Sequence, residues 1–294
     1  MNIGIITVRG SDYHPNRRLS EAAAQQGHKI ILLHPYRLCP SLVESKPEVS
    51  GQPDVGSIDV VLPRQGATLG DSCLALIRHI SLMGIPLVND LDSILLAKNQ
   101  FQTLQVLAAS RILVPDTLFV NSPEGFKPAI DRLKGYPVVL KQTSGRQGKG
   151  VILLKNELTL DSAIDDHLDK RKGLLVQQFI PPVGRKDIRV LVVGGKVAGA
   201  VELKPKKGDF RANFHLSQKS RSIILSAELE RLALKTAGAV GLEIAGIDFI
   251  VGQDGKAMVL EVNYSPGFKG MESATGLDIA AKIVEYVMTS YLKK

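Results

Sequence analysis

Two strand-length runs near the C-terminal end, IAGIDFIV (244–251) and AMVLEVN (257–263), are joined by the turn GQDG. So short a connection commits them to an antiparallel hairpin. One face of that hairpin is apolar and must be covered, while Asp248, Glu261 and Asn263 stand where a buried sheet would be apolar. Pairing Val251 with Lys256 sets Asp248 opposite Val259 and makes Glu261 its diagonal neighbour on the same face, about 7–8 Å away. Asn263, two residues further on, returns to that face. Two carboxylates and an amide are hard oxygen donors that suit Mg²⁺ or Mn²⁺ and not zinc. Carboxylates left unpaired in a sheet are costly, so a cation is expected among them. The alternative is a pair of edge-strand acids facing water.

The first ninety or so residues alternate strands with helices. NIGIITV (2–8), HKIILLH (28–34), IDVVLP (58–63) and IPLVN (85–89) read as strands, with helices over 17–26 and about 70–83. This rhythm implies a parallel sheet covered by helices. The Pro-, Ser- and Gly-rich stretch 40–56 reads as a loop, and 92–110 as one amphipathic helix. From Val114 the pattern changes to α+β. Strands at 114–120, 137–141, 150–155 and 174–180 alternate with helices near 123–134 and 159–171, up to Pro181-Pro182. Beyond it, IRVLVVG and KVAGAVEL form a hairpin through Gly194-Gly195, a polar loop covers 205–222, and helices at 227–240 and 277–292 flank the acidic hairpin.

Composition narrows the function. The net charge of +8 is concentrated between Lys141 and Ser222, where 17 Lys/Arg face 8 Asp/Glu. Such a field attracts nucleotide phosphates or an acidic substrate. The absence of Trp, and of aromatic residues interleaved with the basic ones, argues against nucleic acid. No apolar run of about 18 residues is present to span a membrane. The start lacks a signal-peptide pattern, and Cys39 and Cys73 fit no metal or redox spacing; a cytoplasmic protein is expected.

Lys141 ends an apolar strand and is followed by TSGRQGKGV, with glycines at 145, 148 and 150. Glycines let a turn approach a ligand closely, exposed N–H groups cradle phosphate, and Lys141, Arg146 and Lys149 add charge. An ordinary β-hairpin would carry the same glycines. VQQFIPP (176–182) offers backbone groups to a planar base. Asp187 and Arg189 alternate on one strand face, where Asp187 would accept from ribose hydroxyls or form a surface ion pair. In GDFRANFH (208–215), Arg211 would stabilise charge on a transferring phosphoryl group and Asn213 would orient it.

The ordered set resembles the ATP-grasp enzymes, and among them the RimK-like α-L-glutamate ligases. VVLKQTSGRQGKGV is similar to that family's lysine strand and Gly-rich loop, VQQFI to its VQEYI, DIRVLVVGGKVAGAVE to its DIR hairpin, and GDFRANFH to its GDFRSN loop. IAGIDFIV with VLEVNYSPGFKGMESATGLDIA is similar to its metal hairpin and closing helix. The likeness extends to the N-terminal strand and helix and to PRQG (63–66).

The resemblance implies an α/β fold: an N-terminal Rossmann-like pre-ATP-grasp domain (1–96), followed by an ATP-grasp fold of two α+β subdomains. These are a central lid subdomain (97–182) and a C-terminal subdomain with the metal site (183–294). It implies ATP and two Mg²⁺ or Mn²⁺ ions as cofactors. Lys141 would contact the phosphates, Gln178 and Phe179 adenine, and Asp187 ribose. Arg211, Ala212 and Asn213 would contact the phosphates, with Lys141, Arg211 and Asn213 catalytic and Asp248, Glu261 and Asn263 on the metals. The implied reaction is ATP-dependent amide formation through an acylphosphate. It would add glutamate to a carboxylate acceptor such as a ribosomal protein's C-terminus or a small coenzyme; members of the family often form homo-tetramers, and the sequence leaves the oligomeric state of this chain open. Three positions depart from the family pattern: Gln178 for Glu, Gln100 for Lys, and Leu203 for Arg. Two other readings stand beside this one: an ATP-grasp ligase with a different amine, and a low-turnover nucleotide-binding regulator or ribosome-associated protein.

Overall fold

A computed structural model describes residues 1–65, 70–143, 150–205, 209–211 and 217–291, with backbone alone at 217–219. The N-terminal unit runs β1 (Asn2–Ile6), α1 (His14–Gln25), β2 (Lys29–Leu33), β3 (Leu38–Val43), β4 (Lys46–Gly51), β5 (Val60–Pro63) and α2 (Asp71–Leu82). Strands β2, β1 and β5 form a parallel sheet in that order, as the βα rhythm requires. Two expectations fail here. The segment 85–89 makes only a single parallel bridge, Val61 to Leu87. The stretch 40–56 is not simply a loop, because β3 and β4 pair around Glu44 and Ser45, both at positive φ. A two-stranded ribbon has two free edges, so Pro40 and Pro47 are tolerated where a central strand would exclude them.

The expected helix over 92–110 is two: α3 (Leu91–Lys98) and α4 (Gln100–Ala109). Asn99 breaks them, leaving helical geometry while its Oδ1 accepts from the Phe101 and Gln102 amides at 3.0 and 3.1 Å. An Asn side chain competes with the helical backbone in this way and caps the second helix.

The central unit contains β6 (Thr117–Val120), α5 (Phe126–Arg132), β7 (Val138–Gln142), β8 (Val151–Leu154), α6 (Leu160–His167) and β9 (Leu174–Gln178). Its antiparallel sheet has the order β6–β9–β7–β8. Phe126, Val138, Leu140, Leu154 and Val176 give it a core of its own, distinct from the two cores that tie the N-terminal and C-terminal units together. A unit with a private core moves as a body at little cost in packing.

The C-terminal unit runs β10 (Lys186–Val193), β11 (Lys196–Pro205), β12 (Ser217–Ser222), α7 (Ala227–Val240), β13 (Ile244–Val251), β14 (Ala257–Asn263), α8 (Lys269–Thr275) and α9 (Ile279–Tyr291). The sheet order is β12–β11–β10–β13–β14, so the end of the expected polar loop is an edge strand. Ser226 caps α7 on the Leu229 amide, and Gly241, at φ +77°, ends it in the left-handed conformation that glycine adopts freely. One face of the sheet buries Ile188, Val190, Ile247, Phe249 and Val259 in the core that includes α7. Side chains of this kind contribute roughly 1.5–3 kcal/mol each when fully buried. The other face buries Leu191, Val201 and Leu203 with α8, α9 and the N-terminal strands.

Asn89 fastens the two units. Its amide donates to the carbonyls of Ile244 and Tyr264 at 2.8 and 2.9 Å, and its Oδ1 accepts from Glu243 and Ile244 at 2.7 and 2.8 Å. It is 2% exposed.

Candidate active site

The acidic hairpin forms, but on a different register from the one expected. Val251 pairs with Ala257, Ile250 with Met258 and Phe249 with Val259; the ladder then slips, and Asp248 faces Glu261 directly. Leu260 is the extra residue of a β-bulge. Unbroken pairing would have set Leu260 against Asp248 and turned Glu261 toward Ile247, onto the face buried against α7. A one-residue slip exchanges the faces of every later side chain, and a bulge is the device that corrects it. The bulge is held from outside: Gln100 Nε2 donates to the Leu260 carbonyl at 3.2 Å, and the Val259 amide donates to the Leu113 carbonyl at 2.9 Å. Asn263 falls opposite Gly246. A Cβ on Gly246 would lie 2.7 Å from the Pro266 side chain, so glycine lets the segment after Asn263 fold close over the sheet.

Asp248, Glu261 and Asn263 therefore share one face, and cations gather around them. Arg189, paired with Asp248 across β10 and β13, makes a two-pronged ion pair with its carboxylate. Desolvation lowers the Arg189 pKa, and the Asp248 carboxylate more than reverses this, leaving it raised. Lys141 approaches from the central sheet. Burial pushes its ammonium down to about 8, against the opposing pull of Glu261 and Asp248. Glu261 reaches solvent in the cleft, yet the protein around it and the Asp248 carboxylate push its carboxyl up, while Arg189, Lys141 and the Asn263 amide draw it down.

Directly opposed carboxylates need a cation between or beside them. Among the described residues no group of three His, Cys, Asp or Glu is available to hold a metal, and the face offers two carboxylates and the Asn263 amide. Two carboxylates and an amide oxygen on one sheet face fit a hard divalent ion that keeps part of its water shell.

The remaining expected residues make other contacts. Gln178 ends β9, and its amide donates to the Asp116 carbonyl at 2.8 Å, so a base contact from this residue would come from its carbonyl or side chain. Phe179 meets Phe210 edge to face, with ring centroids 5.8 Å apart. Asp187 and Arg189 share a face but do not pair with each other, and Asp187 is not on the surface. It is 6% exposed and bonded to Arg185 through two contacts of 3.1 Å. Burial pushes the Asp187 carboxyl up, and Arg185 opposes the shift. Arg211 folds back on Asp209, with Nε and Nη2 at 3.0 and 2.9 Å from its carboxylate. Gly145, Arg146, Gly148, Lys149, Ala212 and Asn213 lie outside the described residues.

Arg185 is the residue that sequence reasoning missed. Besides Asp187, its guanidinium donates to the Ile180 carbonyl and, at 2.6 Å, to the Phe210 carbonyl. It ties the exit of β9 to the loop that carries Arg211. Its one sequence signal was a basic residue two positions before a strand Asp, which is too common to single out. The departures also find places: Gln100 supports the bulge, and Leu203, opposite Asp187, is buried in the N-terminal-facing core.

Comparison with known proteins bears on the family and the fold. The RimK PreATP-grasp domain pattern matches residues 1–94, and the RimK-like ATP-grasp domain pattern matches residues 97–287. A Shewanella pealeana protein named "Probable alpha-L-glutamate ligase" is 35% identical over 289 residues. The alignment covers 98% of this chain and 63% of that protein, which extends beyond it. A Thioalkalivibrio sulfidiphilus protein of the same name is 33% identical over 288 residues, covering 98% of this chain and 95% of its own. The crystal structure of a RimK domain ATP-grasp protein from Sphaerobacter thermophilus superposes with a TM-score of 0.76 at 25% identity, covering 98% of this chain and 100% of that one. Among the described residues no helix is long and apolar enough to cross a membrane.

Proposed function

The chain belongs to the RimK-like ATP-grasp family, whose chemistry is ATP-dependent carbon–nitrogen ligation with magnesium, and we propose that it joins glutamate to a carboxylate acceptor through an acylphosphate. The acceptor is a peptide or protein C-terminus, such as that of a ribosomal protein, or a small coenzyme. The observation that supports this reading is that the bulge sets Asp248 and Glu261 directly opposite each other on one face of the C-terminal sheet, within electrostatic reach of Lys141 from the central sheet.

The reaction has two displacements. An acceptor carboxylate oxygen attacks the γ-phosphorus of ATP, forming the carboxyl–phosphate bond as the bond to ADP breaks. The free amine of glutamate then attacks the acyl carbon. The carbon–nitrogen bond forms, inorganic phosphate leaves, and the amine's proton is released. Asp248, Glu261 and the Asn263 amide oxygen would hold two Mg²⁺ or Mn²⁺ ions, which when bound would neutralise phosphate charge. Lys141 adds a cation on the opposite wall for the phosphate oxygens. Arg211 turns from Asp209 to the transferring phosphoryl group, and Asn213 orients it. Gln178 and Phe179 hold adenine, with Asp187 toward ribose and Arg185 fixing the loop between them. The central unit, with its separate core, closes over ATP and keeps water from the acylphosphate.

The test is to incubate the protein with ATP, Mg²⁺ and each amino acid in turn against candidate carboxylate acceptors, following ADP release and product mass. The expected result is glutamate-dependent release and an acceptor heavier by glutamate residues. ATP affinity with no release stimulated by any amine would overturn the reading and leave a nucleotide-binding module.

A further inference from the structure

The strand order of the N-terminal sheet reverses at β1, since the chain leaves β1 for β2 on one side and returns on the other as β5. Open parallel sheets bind ligands outside the carboxyl ends of their strands at such a point. Here those ends carry Arg9, Tyr13 and His14 after β1, and Arg64 and Gln65 after β5. The two ends are tied together, because the Val8 amide donates to Gln65 Oε1 at 2.8 Å. Asn16 pins the loop between β1 and α1 by donating to the Arg9 and Gly10 carbonyls at 3.0 and 2.8 Å.

Arg64 is the unexplained cation of this crevice. Its Nη2 donates to the Pro266 carbonyl at 2.5 Å, and its guanidinium lies 5.7 Å from the centre of the Phe268 ring. Among the described residues no Asp or Glu pairs with it, and the segments outside the description contain neither. Among the described residues the ionisable group that favours the Arg64 charge is the Tyr13 phenol, and desolvation pushes the Arg64 pKa down to about 10. Glu272, the acid of this neighbourhood, is already engaged by His14 and Arg18, each at 3.3 Å, and by the amides of Ile279 and Ala280. A guanidinium carries five donors in a planar fork, and one carbonyl leaves most of them for something else.

The start of α1 flanks the same place. His14, its first residue, lies 5.8 Å from the Phe268 ring, and the helix begins with no side-chain cap and no acid in its first turn. Its free amides and positive dipole end favour an anion. The segment against which Arg64 rests, Pro266 to Phe268, begins three residues after Asn263. The crevice therefore adjoins the metal-binding end of β14.

Resting on the ligase reading above, we propose that this crevice seats a non-reacting carboxylate of the amino-acid or peptide substrate, with Arg64 as its anchoring cation. The carboxylate takes the free edge of the guanidinium, and the rest of the substrate extends toward Asp248 and Glu261. Two sources share this chemistry: the incoming amino acid and the acidic acceptor.

Calorimetric titration of the full chain with Mg²⁺ and a non-hydrolysable ATP analogue tests this. The probes are L-glutamate, an acetylated peptide ending in two glutamates, and the carboxamide form of each. The wild type binds an acid probe, and R64Q weakens that binding roughly ten- to a hundredfold. R64K, which keeps the charge without the fork, recovers part of it. The carboxamide binds the wild type as weakly as the acid binds R64Q, a pattern that a purely structural role of Arg64 would not produce. Loss on the glutamate arm identifies the amino acid as the source, and loss on the peptide arm the acceptor. The proposal is overturned if R64Q binds both acids like wild type, if the wild type binds neither, or if R64Q loses nucleotide and probe affinity together. Failure of the ligase reading looks different: amine-dependent ADP release is absent while Arg64-dependent carboxylate binding persists.

Discussion

Lys141 is held where an ammonium is poorly solvated, and replacing it by methionine tests whether function has placed it there at a cost in stability. Burial brings its pKa to about 8, from an ordinary 10.5. For a lysine whose folded pKa is depressed, folding disfavours the charged form. The penalty is complete below pH 8 and disappears as pH rises through 8 toward 10.5. A difference of this size corresponds to about 3 kcal/mol at pH 7, and partial access to cleft water reduces it to about 1–2 kcal/mol. Lys141→Met is therefore expected to raise unfolding stability at pH 7 by about 1–2 kcal/mol and to lose most of that advantage by pH 10.5. It should also abolish binding of an ATP analogue. Urea denaturation at the two pH values, followed by circular dichroism, gives the first result, and calorimetry gives the second. A variant less stable than wild type at pH 7, or a gain that does not change with pH, would refute the burial argument.

Two further substitutions probe the framework. Asn89→Ala removes four hydrogen bonds, from the Glu243 and Ile244 amides and to the Ile244 and Tyr264 carbonyls, so a loss of about 2–5 kcal/mol is expected in urea unfolding. A loss under about 1 kcal/mol would mean that Asn89 does not fasten the units. Arg185→Leu strands the Asp187 carboxylate in a buried position at a cost of about 3–5 kcal/mol, and adding Asp187→Leu should recover most of it. Equal stabilities of the single and double variants would show that the pair is not coupled.

The amino-acid sequence carried most of the strands because their apolar alternation and turn residues are local signals. It also carried the hairpin's shared acidic face, since both the expected and the observed register place Asp248, Glu261 and Asn263 on one side. What it could not carry was the means. The bulge at Leu260 is stabilised by Gln100 and Leu113, which are far away in the chain, and nothing within 244–263 marks it. The same limit hid the β3–β4 ribbon, whose prolines and serines read as a loop until the open edges of a two-stranded unit make them tolerable. Asp187 was read with Arg189 from their spacing, whereas each found its ion partner elsewhere: Asp187 in the preceding turn and Arg189 across the sheet. Arg64 is legible only as part of PRQG; its meaning comes from a half-buried guanidinium with no acid beside it among the described residues.

The central claim is that the bulge-aligned face of β13 and β14 holds the divalent ions that position ATP. Electron paramagnetic resonance of Mn²⁺ with the protein and a non-hydrolysable ATP analogue measures this directly. Nucleotide-dependent Mn²⁺ binding is expected for the wild type, with its loss in Glu261→Ala while circular dichroism and thermal melting remain native. A Glu261→Ala variant that binds Mn²⁺ and the analogue as the wild type does would contradict the account.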